Sequence, residues 1–221
     1  MSRRLSFNRQ IKTLANAYMT AKEKVIQSGF ACEIDWQHNL SLERITEDIF
    51  LREAAWVVLS AGMRESVIRR KFPEITAAFC NWESARLIIS HREKCKCDAM
   101  EIFRNERKIE SILKITEEVY YKGFEIIRKF LEKDGVKYID RLPFMGPATS
   151  FHLAKNLGLP TVKPDRHLTR VAFRTGYSSP YEMCKTISEI IGDKITVIDL
   201  VIWRYATLDP NYLVLFCPSD I

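Results

Sequence analysis

Two short stretches of this chain hold residue types whose spacing can do chemistry, and one helix plus a loop separates them. The first is Leu142-Pro143-Phe144-Met145-Gly146-Pro147. Gly146 lets the backbone turn with no side chain above it, and Pro147 presets the start of a following helix. The amides of Ala148, Thr149 and Ser150 then form the first turn of that helix, at the positive end of its dipole. A phosphate oxygen fits there without any particular base. Taken alone, the same stretch is a plain turn between two helices. The second is Lys163-Pro164-Asp165-Arg166-His167-Leu168. Asp165 follows a stiff proline at the start of a helix, where a carboxylate is either a cap or a placed general base. Each piece alone is common. The two in this order are much rarer.

The elements that must position them read as helices. Eight glycines and eight prolines punctuate 221 residues. Few segments alternate with period two, and apolar residues recur at helical spacing, so the expected class is all-α. Residues 9–27 form a helix ended by Gly29. Residues 31–40 read as a loop carrying Trp36 and His38. Ser41 caps a long helix to residue 60. A basic helix over 64–71 stops at Phe72-Pro73, and two short helices cover 73–79 and 82–89. Residues 91–98 read as a polar loop. A longer helical stretch from Asn105 loosens at Gly123 and stops at Gly135, and residues 136–141 form a short helix. Helices follow the hairpin and Asp165; another opens at Ser179-Pro180-Tyr181-Glu182, and the last spans 194–207. The expected organisation is an N-terminal helix and loop, 1–40, packed on a core, 41–221. The hairpin occupies 136–157 and the Asp165 segment 162–175.

Composition narrows the class further. The chain is 47% hydrophobic and 28% charged, as in ordinary soluble proteins. The apolar run 195–203 contains Asp199 and is too short to span a membrane. The N-terminus lacks the apolar core of a signal peptide, so a cytoplasmic location is expected. In that compartment Cys32, Cys80, Cys95, Cys97, Cys184 and Cys217 are reduced thiols. His91, Cys95 and Cys97 offer three soft ligands, but a zinc site wants four at more regular spacing, and a polar surface loop is the expectation. Lysines and arginines number 34 against 28 acids, a formal charge of +6, which permits a polyanionic partner without requiring one. Arg166, Arg170 and Arg174 share a helical stripe, and Arg64, Arg69, Arg70 and Lys71 form a second cluster. Each is a backbone-tracking surface or a solvated face.

Together, Leu142, Pro143, Gly146 and Thr149, followed by Asp165, His167, Leu168, Arg170 and Val171, resemble the helix-hairpin-helix DNA glycosylase superfamily. The clear match spans about 35 residues of pattern. A looser one runs from Thr46 to Tyr205. It includes Ala54 to Met63, similar to the superfamily's early helix and the loop that pushes into the duplex, and a closing helix around Ile198 to Trp203. The resemblance implies two helical lobes flanking a cleft for DNA and a flipped base.

The same resemblance implies roles. Asp165 would stabilise positive charge on the sugar and orient or deprotonate the attacking water. Phe144, Gly146, Ala148, Thr149, Arg166 and Arg170 would contact the backbone, with Met63 as a wedge beside Arg64. Trp36, Trp56, Trp82 and Trp203 are pocket candidates, each with core packing as its alternative. Glu53 would read a base edge if it faces the cleft, and is otherwise a surface charge. A monovalent cation would sit on the backbone carbonyls of Asp140, Leu142 and Met145; no cofactor is required. Three departures matter. Ala148 stands where bifunctional members carry a Schiff-base lysine, which implies a monofunctional enzyme. Only Cys217 lies near the C-terminus, so no iron–sulfur cluster is expected. Phe144 occupies a position usually held by glycine, where its ring would crowd a phosphate or stack on a sugar. The expected activity is excision of a damaged or modified base from double-stranded DNA by a monomer, in repair or in defence against modified phage DNA. The alternatives are a non-catalytic DNA-binding module and a glycosylase with lyase activity from another lysine.

Overall fold

A computed structural model of the chain describes residues 2–217, with side chains from residue 11 onward. Among the described residues there are fourteen α-helices and no strand. They are α1 (Ser2–Val25), α2 (Ala31–Asn39), α3 (Glu47–Ser60), α4 (Glu65–Ala78), α5 (Ala85–Ser90), α6 (Arg92–Ile102) and α7 (Glu106–Lys122). There follow α8 (Phe124–Asp134), α9 (Val136–Ile139), α10 (Pro147–Asn156), α11 (Arg166–Arg174), α12 (Pro180–Ile191), α13 (Ile195–Leu208) and α14 (Tyr212–Phe216). None is both long and apolar enough to cross a membrane.

Packing divides the chain into two units. One comprises residues up to Leu40 together with those from Pro160 on; the other is Ser41–Leu159. The segment bearing Asp165 thus groups with the N-terminal residues, while the hairpin lies in the other unit.

In the first unit α13 is the centre. Thr196 to Ile202 are all buried, the pattern of a helix enclosed on every side. Around it pack α1, α2, α11, α12 and α14. Leu14, Tyr18, Ala21 and Val25 of α1 join Leu168, Val171 and Ala172 of α11 in one apolar cluster. An ion pair between buried Arg204 and partly buried Glu33 places α2: Arg204 Nη2 lies 2.7 Å from Glu33 Oε2, and Arg204 Nε donates to the same oxygen at 3.0 Å. The guanidinium carbon is 4.3 Å from the Phe30 ring centroid and 4.6 Å from that of Trp203.

In the second unit α7 carries the buried stripe Ile109, Ile112, Leu113, Ile115, Thr116 and Val119. It packs against α3, α5, α6 and α8. The two ends of this unit meet. Gly158 has φ +80°, and a Cβ added there would lie 2.9 Å from the Ser41 amide nitrogen. The chain can therefore enter and leave the unit at one place.

Four local expectations are corrected. Residues 31–39 are helical, not a loop. A bend at Gly29 (φ +90°) lets a helix resume, and the burial of Ile34 and Gln37 with the Glu33–Arg204 pair holds it. Residues 92–102 are also helical: Cys95 and Ala99 face inward at i, i+4 spacing, while Lys94–Asp98 and Lys96–Glu110 pairs satisfy the charges. The charges that suggested a loop belong to a solvated helix face. Pro73 lies inside α4 and does not end it; Ile68 and Ile75 bury the same face on either side, outweighing the missing amide. Finally, the helix expected from Ser41 begins at Glu47, after a short 3-10 turn, Leu42–Arg44.

Replacing Gly158 with alanine should lower the unfolding free energy by about 2 kcal/mol or more, combining left-handed strain with displacement of Ser41. Gly192→Ala, with similar φ (+86°) but open space around it, should cost only about 1–2 kcal/mol. Urea unfolding of both variants would check this, and equal losses would refute the close approach.

Candidate active site

Asp165 caps α11 with an extended backbone (φ −82°, ψ 171°). Its Oδ1 accepts the amides of His167 at 2.8 Å and Leu168 at 3.0 Å. Its Oδ2 is shielded from water and has no hydrogen-bond partner among the described residues. A carboxylate oxygen left in that state is costly. The capping role is therefore real, and it uses only half of the group.

The backbone before Asp165 is held from inside the unit. Asp165 N donates to Lys163 O at 2.8 Å, and Lys163 N donates to Asp199 Oδ2 at 2.5 Å. Asp199 is fully buried in α13. Its only signal in the sequence is an acid in an otherwise apolar run. His167 follows Asp165, with its ring edge-on to Tyr212 at 5.2 Å. Its Nδ1 is buried without a partner. Burial lowers its pKa below the usual imidazole value, against the opposing charge of Asp165. Arg166 and Arg170 are exposed on the same helix.

The hairpin shows why its third position favours glycine. Phe144 has φ +65°, a conformation that non-glycine residues seldom adopt. Its ring packs beside two cations: Arg107 Cζ lies 5.4 Å and Lys108 Nζ 5.6 Å from its centroid. Thr149 closes the helix start, its Oγ1 accepting Gly146 N at 2.7 Å. Ser150 N is taken by Gly146 O at 2.9 Å. That corrects the expectation of three open amides: Ala148 and Thr149 remain, and Ser150 does not. Ser150 Oγ also donates to Asp140 Oδ1 at 3.0 Å. Of the carbonyls of Asp140, Leu142 and Met145, that of Leu142 accepts Met145 N at 3.1 Å. It keeps one lone pair, so the oxygen set remains compatible with a monovalent cation.

Lys108 carried no signal in the sequence. It is buried, and its Nζ donates to Leu59 O at 2.6 Å and Ala61 O at 2.7 Å, at the end of α3. Burial lowers its pKa. One amine therefore anchors both the Phe144 ring and the turn that presents Met63 and Arg64. Met63 is 42% exposed, and Arg64 is exposed beside it.

The remaining candidates separate. Glu53 is a buried group, not a surface charge; its Oε2 accepts Asn156 Nδ2 at 2.9 Å and its Oε1 accepts Arg52 at 3.1 Å. This links α3 to the hairpin helix α10. Trp56 is half-buried, edge-on to Phe72 at 5.0 Å. Trp82 is core, stacked on Phe79 at 4.8 Å, and is removed from the pocket candidates. Trp203 is half-buried against Arg204, and Trp36 is exposed on α2. Helix α6 turns Cys95 inward and Cys97 outward, and no group of three metal-ligating side chains forms among the described residues. Lys155 is buried in α10.

In sequence the chain matches no protein-family model and no curated protein. In structure it is similar to an 8-oxoguanine glycosylase/lyase from Methanocaldococcus jannaschii, solved with a 15-mer DNA containing 8-oxoguanine. The likeness has a TM-score of 0.61 at 19% identity and covers 90% of this chain and 97% of that one. The chain thus has the all-helical, helix-hairpin-helix glycosylase fold.

Glu53 supplies a test of the site's electrostatics. Burial raises its pKa, against the opposing effects of Arg52 and Asn156. The fold disfavours the charged form, so the penalty is absent below the ordinary carboxylate value of about 4.3. It grows as pH rises through the folded value. Glu53→Gln should therefore melt above wild type at pH 7, with the gap closing near pH 4. Equal melting temperatures at pH 7 would refute it.

Proposed function

We propose that this chain is a DNA N-glycosylase, which flips a damaged or modified base out of duplex DNA and hydrolyses its glycosidic bond. The observation that carries the reading is the divided carboxylate of Asp165. One oxygen is locked by two amides, which fixes the group's direction. The other has no partner among the described residues and can meet positive charge. As the bond to the base breaks, positive charge builds on the deoxyribose. A carboxylate oxygen held beside it stabilises that charge and can take a proton from the attacking water. The groups that shield Oδ2 would move aside when the substrate enters, since catalytic contacts often tighten only in the complex.

The other residues supply binding. The open amides of Ala148 and Thr149 suit a phosphate oxygen. A monovalent cation on the carbonyls of Asp140, Leu142 and Met145 would bridge to the same phosphate, and Arg166 and Arg170 would neutralise others. Met63, exposed on a turn anchored by Lys108, would fill the gap left by the flipped base, whose extrusion costs a few kcal/mol. Trp36, Trp56, Trp203 and Glu53 are the candidates for reading the base. Ala148 leaves the position that the superfamily's Schiff-base lysine would occupy without an amine, and Lys155, further along α10, is buried, which supports hydrolysis over Schiff-base chemistry.

The test is a panel of duplexes carrying different damaged or modified bases, 8-oxoguanine among them, treated with protein and then with alkali. Wild type should cut at least one. Asp165→Asn preserves the cap, because asparagine is as good an N-cap. It should slow excision about a hundredfold or more with DNA affinity unchanged. Excision by Asp165→Asn at the wild-type rate would overturn the assignment. A covalent adduct with abasic DNA after borohydride treatment would overturn the hydrolytic one.

A further inference from the structure

The outward face of α11 holds a feature that the excision chemistry does not use. Leu168, Val171 and Ala172 of this helix are buried. With 3.6 residues per turn, Phe173 points away from Leu168 and Val171, about 140° and 160° around the axis from them, and lies about 20° from Arg166 and about 60° from Arg170. Phe173 is 64% exposed, and among the described residues no ring stacks on it. Within α11 there is no acidic residue. Arg166 Nε lies 3.3 Å from His167 Nε2, and among the described residues neither Arg166 nor Arg170 has a carboxylate partner.

A phenyl group held in water adds nothing to the core. A single ring among guanidinium groups is also not the broad apolar patch that a protein partner needs. Uncompensated cations beside it attract a polyanion. Every nucleobase has a π-face on which such a ring can stack, whatever the sequence.

The geometry points to Phe173 as a stacking platform for an unstacked base of a DNA strand whose phosphates Arg166 and Arg170 neutralise. The ligand this surface fits is single-stranded or locally unstacked DNA, since the bases of a relaxed duplex already stack on one another. Phe173 lies about 12 Å along the helix from Asp165, equal to some three or four nucleotides of a stacked strand. The platform would thus meet the strand a few nucleotides from the sugar at Asp165. It rests on the DNA-binding half of the reading above and is independent of the excision step.

Fluorescence anisotropy with a short labelled single strand, and with the same strand in duplex, tests it. Phe173→Ala should weaken single-strand binding roughly tenfold, the effect of one lost base–aromatic stack, without changing the salt slope. Duplex binding should change much less. Phe173→Trp should restore affinity, and Phe173→Leu, apolar but without a π-face, should not. Arg170→Ala should instead reduce the single-strand salt slope by about 0.7. Wild-type single-strand affinity in Phe173→Ala, or rescue by leucine equal to that by tryptophan, would overturn the platform. Loss of stacking in a protein that excises nothing would leave the platform standing and the enzymatic reading refuted. Intact excision with unchanged single-strand affinity would refute the platform alone.

Discussion

A carboxylate with no access to water, Asp199, holds the backbone amide of Lys163 at 2.5 Å. The placement of Asp165 depends on that contact. Burying a carboxylate is costly unless it is well paired, so α13 has a strong preference for the one arrangement that satisfies it. That arrangement sets the chain two residues before Asp165, and the Asp165 amide then closes onto Lys163 O at 2.8 Å. The two amides at the start of α11 complete the restraint. A group that must face a reacting atom needs its direction set before the substrate arrives. Here the direction comes from backbone hydrogen bonds and a core helix, not from contacts between long surface side chains.

The second unit uses a buried amine in the same way. Lys108 ties the end of α3 to the ring of Phe144. A phenylalanine in a left-handed conformation is strained by about 1 kcal/mol or more. The packing of its ring against Lys108 and Arg107 offsets part of that. The turn bearing Met63 and the hairpin therefore share one anchor, and in the proposed reaction both would touch the same nucleic acid. Glu53 and Asn156 make a parallel link between α3 and α10. Such buried polar contacts stabilise little beyond what apolar packing would, but they define geometry sharply.

The open end of α10 and the arginine face of α11 lie in different units, as do Met63 and Asp165. The proposed function asks each unit to bring its own half: phosphate grip and wedge from one, carboxylate and cationic face from the other. The chain between the units passes through Leu40-Ser41 and Leu159-Pro160. Gly158 lets those two crossings lie side by side, because no side chain intervenes.

The sequence by itself determined what neighbouring residues decide. Helical periodicity made the fold all-α. Gly146 and Pro147 set the hairpin turn, and Asp165 after Pro164 set the cap, since these depend on dihedral preferences and bonds within a few positions. The tertiary structure decided whatever needs a distant partner. Residues 31–39 are a helix because Glu33 meets Arg204, 171 positions away. Residues 92–102 are one because their charges find acids on α7. Glu53 looked like a surface charge until Asn156, 103 positions on, placed it inside. Lys108 was illegible for the same reason, and Asp199 showed only as an acid in an apolar run, its partner unseen. A charged side chain reads as solvent-exposed until the fold brings up the backbone groups that satisfy it, and no local pattern encodes that encounter.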